Sequence, residues 1–99
     1  MAYGFNNDKS KAPFVASTGS TNLNIGAGAD IMVEVEIPGA QNKSIIGIRA
    51  LYYNEHKNYK GISIEGFYVD GTKVGVYVRN SGSVAVNKGV IVVNAMCTG

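Results

Sequence analysis

The feature that most constrains the fold is residues 61–80, GISIEGFYVDGTKVGVYVRN, where apolar residues alternate with other residues on both sides of a glycine turn. A period of two places successive side chains on opposite faces of a strand, so the segment predicts a β-hairpin. A two-residue loop of Asp70 and Gly71 would put the isoleucines and the valines on opposite faces. We therefore expect a three-residue loop with Gly71 in the left-handed region, which pairs Ile64 with Val76 and collects the apolar side chains on one face.

Two further segments alternate in the same way. In residues 30–37 one face is predicted to carry Ile31, Val33, Val35 and Ile37. In residues 44–54 the inward face is predicted to carry Ile46, Ile48, Ala50 and Tyr52, and the opposite face Ile45, Arg49, Leu51 and Tyr53. Because that opposite face is unusually apolar, it predicts a contact surface, with cover by the N-terminal residues as the alternative.

The rest of the chain consists of short apolar segments separated by turn-forming residues. Strands are expected at residues 14–16, 21–25 and 83–86, and a last strand begins at Val90 with apolar residues on both faces. No segment shows helical periodicity for more than one turn. About seven short strands with regular turns predict an all-β fold, an antiparallel β-sandwich of jelly-roll type formed by residues 13–99.

The length of the chain limits its core. With 99 residues it has room for one domain, which buries about 60–65% of the surface that the unfolded chain exposes. Cys97 is the only cysteine, so no internal disulfide compensates, and further burial is expected from neighbouring copies in a homo-oligomer. Cys97 itself is expected to be a small buried residue, with a reactive or intermolecular thiol as the alternative.

Charge and hydropathy exclude two classes of partner. Nine basic and seven acidic residues give a net charge of +2 without a basic run, so nucleic acid is not an expected partner. No apolar run reaches the roughly 18 residues that a membrane helix needs, and the first residues lack a signal-peptide core. We therefore expect neither membrane insertion nor secretion, and a lone cysteine fits folding in a reducing cytoplasm.

Residues 1–12, MAYGFNNDKSKA, are polar and show no periodicity, and Pro13 closes them off. They predict an N-terminal arm. Such an arm is either disordered or lies across a neighbouring subunit or particle, with Tyr3 and Phe5 as its attachment residues.

Candidate catalytic and metal-binding residues are scarce. His56 is the only histidine, and no serine or cysteine lies in a nucleophile motif, so the chain is predicted not to be an enzyme. The carboxylates are explained as solvent-facing or turn residues. No cofactor or metal site is expected within one chain, although a threefold axis could gather three copies of His56 around an ion.

One loop has the composition of a binding site. Its candidate ligand- or receptor-binding residues are Tyr52, Tyr53, Asn54, Glu55, His56, Asn58, Tyr59 and Lys60. Aromatic rings stack on the apolar faces of sugars or proteins, while amide and charged groups bond to hydroxyls. A plain solvated connection is the alternative.

Two segments resemble a known family. The opening MAYGFNNDKSK resembles the start of small phage-encoded virion proteins, and residues 74–97, VGVYVRNSGSVAVNKGVIVVNAMC, resemble the closing strands of phage fibre-tip and head-fibre domains. In those domains a V-x-V-R-N-x-G segment precedes a final apolar strand. The resemblance implies a trimeric β-sandwich displayed on a particle. The oligomer interface near the threefold axis would contain Ile45, Leu51, Tyr53, Ile91 and Val93.

The function predicted from these features is that of a non-enzymatic phage virion surface protein, folded in the host cytoplasm and assembled as a homotrimer. It would be a short fibre, a receptor-binding tip or a decoration protein, since the chain has no long shaft. Its partners would be phage particle proteins and a host cell-surface glycan or protein. The alternative is a monomeric carbohydrate-binding module that uses Tyr52, Tyr53 and Tyr59.

Overall fold

The computed structural model describes residues 14–55 and 60–99, which form six strands and one short 3-10 helix, Pro38–Ala40. The strands are β1 (Phe14–Ile25), β2 (Asp30–Glu36), β3 (Ser44–Asn54), β4 (Ile62–Asp70), β5 (Lys73–Asn80) and β6 (Val86–Thr98). Across these residues no helix has both the length and the apolar character needed to cross a bilayer.

The strands form two three-stranded antiparallel sheets. We call them the β6 sheet, with the order β1-β6-β3, and the β5 sheet, with the order β2-β5-β4, after their central strands. Their apolar inner faces share one core, which gives a sandwich-like arrangement. The prediction of an all-β fold with antiparallel sheets is therefore confirmed.

The core is formed mainly by the two central strands. Its fully or almost fully buried members on these strands are Val74, Val76, Val78, Val86, Ile91, Val93, Ala95 and Cys97. Ile91 and Val93, which were predicted at an oligomer interface, have no exposed surface and lie inside the single chain. Burial of Cys97 agrees with its expected role as a small core residue.

The β4–β5 hairpin has a different register from the predicted one. Asp70 pairs with Lys73, so the loop contains only Gly71 and Thr72, and Gly71 has a φ of 61°. A two-residue loop with positive φ at its first position matches the right-handed twist of the flanking strands. The predicted three-residue loop is therefore wrong.

A β-bulge keeps the apolar side chains of this hairpin on one face. The pairing shifts between Ile64 and Gly66, which leaves Glu65 without a partner, and Ile64 faces Val78. Because one extra residue inverts the alternation, the isoleucines before the bulge share a face with the core valines of β5. The predicted gathering of apolar residues on one face is correct, although it arises by another route.

A second bulge changes the predicted faces of β3. The pairing with β6 shifts between Ile45 and Gly47, so Ile45 lies on the inner face and Ile46 is 55% exposed. The predictions for these two residues are therefore reversed. Beyond the bulge the predictions hold: Ile48, Ala50 and Tyr52 pack against the core, while Leu51 and Tyr53 lie on the outer face.

The two strands predicted near the start of the chain form one strand, β1, which pairs with β6 along its whole length. Gly19 lies in its middle, where an added Cβ would overlap the carbonyl oxygen of Glu36 and lie 2.8 Å from Val35 Cγ1. A glycine at this position therefore allows β1 to approach β2 of the other sheet. Residues 83–85, predicted as part of a strand, form no strand.

A buried asparagine joins the loops at one end of the sandwich. Asn80 is 1% exposed, and its Nδ2 donates to the carbonyl of Val84 at 2.9 Å. Its Oδ1 accepts from the Gly82 N–H at 3.0 Å, and its own N–H donates to the carbonyl of Ala29 at 2.9 Å. These bonds hold together the loops that follow β1 and precede β6.

Candidate binding groove

A groove of about 590 Å³ lies on the outer face of the β6 sheet, where β1 and β3 end and β6 begins. Three regions contribute its main polar and aromatic side chains: Asn22 and Asn24 of β1, Tyr53 and Glu55 at the end of β3, and Asn87 and Lys88 of β6. The groove is thus assembled from segments that are far apart in the sequence.

Strand pairing places these side chains next to each other. Val90 of β6 pairs with Asn22 on one side and with Tyr53 on the other, so all three share the outer face. Neighbouring strands lie about 4.8 Å apart, which puts Asn22 and Tyr53 about 10 Å from each other across Val90. Val90 therefore forms an apolar floor between an amide and an aromatic ring.

The two charged side chains among the described lining residues are paired with each other. Lys88 Nζ lies 3.8 Å from Glu55 Oε1, and both side chains are well exposed to solvent. The other polar lining groups are neutral amides. Among the described residues, Asn22, Asn24 and Asn87 make no side-chain hydrogen bond. The groove therefore combines a balanced charge with amides that can both donate and accept hydrogen bonds.

Tyr53 supplies an aromatic surface to the groove and is 50% exposed. Tyr52 lies on the other face of β3, where its hydroxyl accepts a hydrogen bond from Asn54 Nδ2 at 3.0 Å. Asn54 is only 7% exposed, so this bond braces the end of β3 from beneath. The two adjacent tyrosines therefore have different roles: Tyr52 supports the strand and Tyr53 faces the groove.

The structure locates the other predicted binding residues as follows. Glu55 and Asn54 line the groove with Tyr53, whereas Lys60 lies in a separate, smaller pocket beside Val84. His56, Asn58 and Tyr59 fall outside the described residues, as do the predicted arm residues Tyr3 and Phe5.

Asn22, Asn24, Asn87 and Lys88 were not predicted from the sequence. Asn22 and Asn24 alternate with Leu23 and Ile25, which signals an outward polar face on a strand. That signal does not identify a partner strand. Sixty residues separate the end of β1 from the start of β6, and only the long-range pairing brings these amides together.

The opposite end of the same outer face is apolar. We call Phe14, Ile46 and Met96 the apolar patch; they are 54%, 55% and 40% exposed. Met96 pairs with Ala16 on one side and with Gly47 on the other, so the patch spans all three strands. Met96 lies six positions beyond Val90 along β6, which places the patch about 20 Å from the groove floor.

The outer face of the β5 sheet has a second cleft, of about 420 Å³, lined by Met32, Glu65, Tyr77 and the pair Asp30–Arg79. Arg79 donates from Nε to Asp30 Oδ1 at 2.7 Å and from Nη2 to Oδ2 at 3.2 Å. The hydrogen bond and the positive charge of Arg79 hold the pKa of Asp30 below its usual value. The main charged groups of this cleft are therefore already bonded to each other.

Within residues 14–55 and 60–99 no group of three or more histidine, cysteine, aspartate or glutamate side chains is placed to hold a metal ion. Comparison of the chain with protein-family models, with curated proteins and with solved structures finds no match.

Proposed function

We propose that this chain is a non-enzymatic surface protein of a bacteriophage virion that assembles as a homotrimer. It would act as a short fibre, a receptor-binding tip or a decoration protein. The resemblance of residues 74–97 to the closing strands of phage fibre-tip and head-fibre domains supports the phage assignment. The two-sheet all-β architecture is compatible with that resemblance.

The observation that carries the proposed self-association is the apolar patch. Its three large side chains lie on the outer face of the β6 sheet, and the inner face of that sheet packs in the core. Burying apolar surface stabilises a contact by about 25 cal/mol per Å², and exposed apolar clusters on small domains commonly mark contact surfaces. Three copies meeting at their patches would shelter these side chains from water.

The connectivity supports a further detail of the fold. The chain passes from one sheet to the other at β1–β2, β2–β3, β3–β4 and β5–β6, and only β4–β5 is a hairpin within one sheet. A jelly roll has eight strands in two Greek keys, and its chain likewise passes repeatedly from one sheet to the other. We therefore propose a reduced, six-stranded relative of the jelly roll.

The assembly is tested by the mass in solution and by one charge substitution. Sedimentation velocity over a range of concentrations is expected to give a species of three times the chain mass of 10.4 kDa. Met96→Lys is expected to shift it to a monomer, because the substitution places an unpaired charge in the apolar contact. Circular dichroism checks that the variant remains folded.

Met32→Lys is the matched control, because Met32 lies on the outer face of the other sheet and is 42% exposed against 40% for Met96. It should leave the mass unchanged. A wild-type chain that stays monomeric at all concentrations, or a Met96→Lys variant that keeps its mass, would contradict the proposal. Removal of residues 1–12 that increases association would mean that the arm covers the patch.

A further inference from the structure

We infer that the groove beside Tyr53 is a binding site for an uncharged oligosaccharide. A sugar ring would stack on Tyr53, and its hydroxyls would bond to the amides of Asn22, Asn24 and Asn87. All of these residues belong to one chain. The inference therefore goes beyond the proposed assembly and does not depend on it.

The first argument for a sugar ligand is the exposed aromatic surface of the groove. Tyr53 is half exposed and lies beside the half-buried Val90, so the ring and its neighbour form a continuous apolar surface. The C–H face of a sugar is apolar while its edge is ringed with hydroxyls. An exposed aromatic ring next to hydrogen-bonding groups matches both properties, whereas a purely apolar ligand would leave the surrounding amides desolvated.

The second argument for a sugar ligand is the set of asparagine amides around that surface. Asn22, Asn24 and Asn87 are exposed, and among the described residues none of them has a side-chain hydrogen bond. Each amide offers two N–H donors and a carbonyl acceptor, which suits hydroxyl groups that also donate and accept. Asn54 does not take this role, since it is buried and donates to the Tyr52 hydroxyl. The site thus has an internal brace and an outer row of available amides.

The charges that line the groove distinguish neutral sugars from anionic ones. Among the described residues that line the groove, the charged ones are Lys88 and Glu55, which lie 3.8 Å apart, so this lining presents one cation together with one anion. A phosphate or carboxylate ligand would gain from Lys88 but would be repelled by Glu55 at close range. The arrangement therefore favours neutral sugars over phosphorylated or sialylated ones. The volume of about 590 Å³ lies within the range of about 300–1,000 Å³ that ligand sites commonly occupy.

The test is binding of the purified full chain to a glycan array that carries both neutral and anionic oligosaccharides, followed by calorimetric titration with the strongest neutral binder. We expect neutral glycans to dominate the signal. Tyr53→Ala is expected to weaken the affinity about tenfold, because stacking on the ring is lost. Tyr53→Phe should keep most of it, and Asn22→Ala and Asn87→Ala should each weaken it.

Tyr77→Ala is the matched control, since Tyr77 is 46% exposed on the outer face of the other sheet. It should bind as the wild type does. The inference is overturned if no glycan binds, if anionic glycans alone bind, or if Tyr53→Ala and Tyr77→Ala have equal effects. Sedimentation of the same samples separates this outcome from failure of the trimer, because a monomer can still bind a glycan in its own groove.

Discussion

The two sheets contribute similar apolar faces to the core, but their outer faces differ. On the β5 sheet three side-chain contacts tie the strands together. Tyr68 Oη of β4 donates across β5 to Glu34 Oε2 of β2 at 2.9 Å, Thr72 Oγ1 of the β4–β5 turn donates to Glu36 Oε2 at 2.6 Å, and Arg79 donates to Asp30 at 2.7 Å. On the β6 sheet such contacts are sparser: Thr18 Oγ1 donates to Asn94 Oδ1 at 2.9 Å, and Lys88 meets Glu55 at one end.

The two sheets also differ in the charged residues that their strands carry. The strands of the β5 sheet carry five acidic and two basic residues, whereas those of the β6 sheet carry two basic residues and no acidic one. A partner that docked on the β5 sheet would have to break side-chain bonds that are already made, which costs free energy. The β6 sheet offers an apolar patch at one end and available amides at the other. Exposed apolar side chains occur on both sheets, with Met32 and Tyr77 on the β5 sheet, so the sparser side-chain bonds and the available amides are what favour the β6 sheet for both proposed contacts.

The largest effect is expected from Gly19→Ala, which tests the close approach of β1 to β2. The new Cβ would overlap the carbonyl oxygen of Glu36, and relief requires the two sheets to move apart. We expect the free energy of unfolding to fall by about 3 kcal/mol, as measured by urea denaturation.

Gly75→Ala is the matched substitution on the β5 sheet. There the new Cβ would meet the ring of Tyr68, which covers Gly75 from the outer face; turning this side chain away gives up its bond to Glu34 but moves no backbone. We expect a smaller loss of about 1 kcal/mol. If Gly19→Ala and Gly75→Ala lower the free energy of unfolding equally, a Cβ that meets backbone costs no more than a Cβ that meets a side chain. That result would contradict the proposed difference between the two sheets.

A smaller effect is expected at alkaline pH from the bond between Tyr68 and Glu34. Donation to the Glu34 carboxylate, with a further contribution from the charge, raises the pKa of Tyr68 above its usual value of 10.0. The resulting stabilisation is present below pH 10 and is lost as the pH rises through the folded-state pKa. Thermal midpoints between about pH 9 and about pH 11 should therefore fall more steeply for the wild type than for Tyr68→Phe.

Tyr77→Phe serves as the control for that experiment. Tyr77 lies 6.0 Å from Tyr68 between ring centroids and keeps the aromatic contact when its hydroxyl is removed. Its alkaline profile should stay close to that of the wild type, because Tyr77 contributes less than Glu34 to the raised pKa of Tyr68. A Tyr68→Phe profile parallel to the wild type would mean that the bond to Glu34 does not stabilise the outer face.

The smallest effect is expected at acid pH from the pair Asp30–Arg79. Because the pKa of Asp30 is lowered in the folded chain, the pair stabilises the fold above the usual value of 3.8 and loses this contribution as the pH falls through the folded-state pKa. Both side chains are exposed, so the gain is small and screened by salt. Asp30→Asn should slightly lower the thermal midpoint at neutral pH and match the wild type in strong acid.

Asp70→Asn, at the β4–β5 turn, is the control for this pair. It changes one exposed carboxylate of the same sheet without touching Arg79. If it lowers the midpoint as much as Asp30→Asn does, the effect comes from net charge and not from the bidentate contact.

Much of the fold could be predicted from local alternation. The inward positions of Val35 and Ile37, and of Tyr52 but not Tyr53, follow from a period of two, which depends only on neighbours in the chain. The predictions failed for the faces of Ile45 and Ile46 and for the register of the β4–β5 hairpin, because in each strand one unpaired residue inverts the alternation. A bulge leaves little trace in composition, because it is set by the partner strand.

Some residues of the candidate site could be predicted from the sequence and others could not. Tyr53 and Glu55 were predicted from the composition of one loop, because aromatic and polar residues are adjacent there in the sequence. Asn22 and Asn87 could not be predicted, since each has the ordinary composition of a polar strand position. They become a site only where β6 lies between β1 and β3.

The sequence by itself determined that this chain is built of strands and which side chains of most strands turn inward, because alternation and turn residues act over a few neighbouring positions. The tertiary structure alone decided which strands share a sheet, where the bulges lie, and that the amides and Tyr53 meet at one end of the outer face while the apolar patch lies at the other. The physical reason is that strand pairing joins residues distant in the chain, and its register is settled by packing of the whole core.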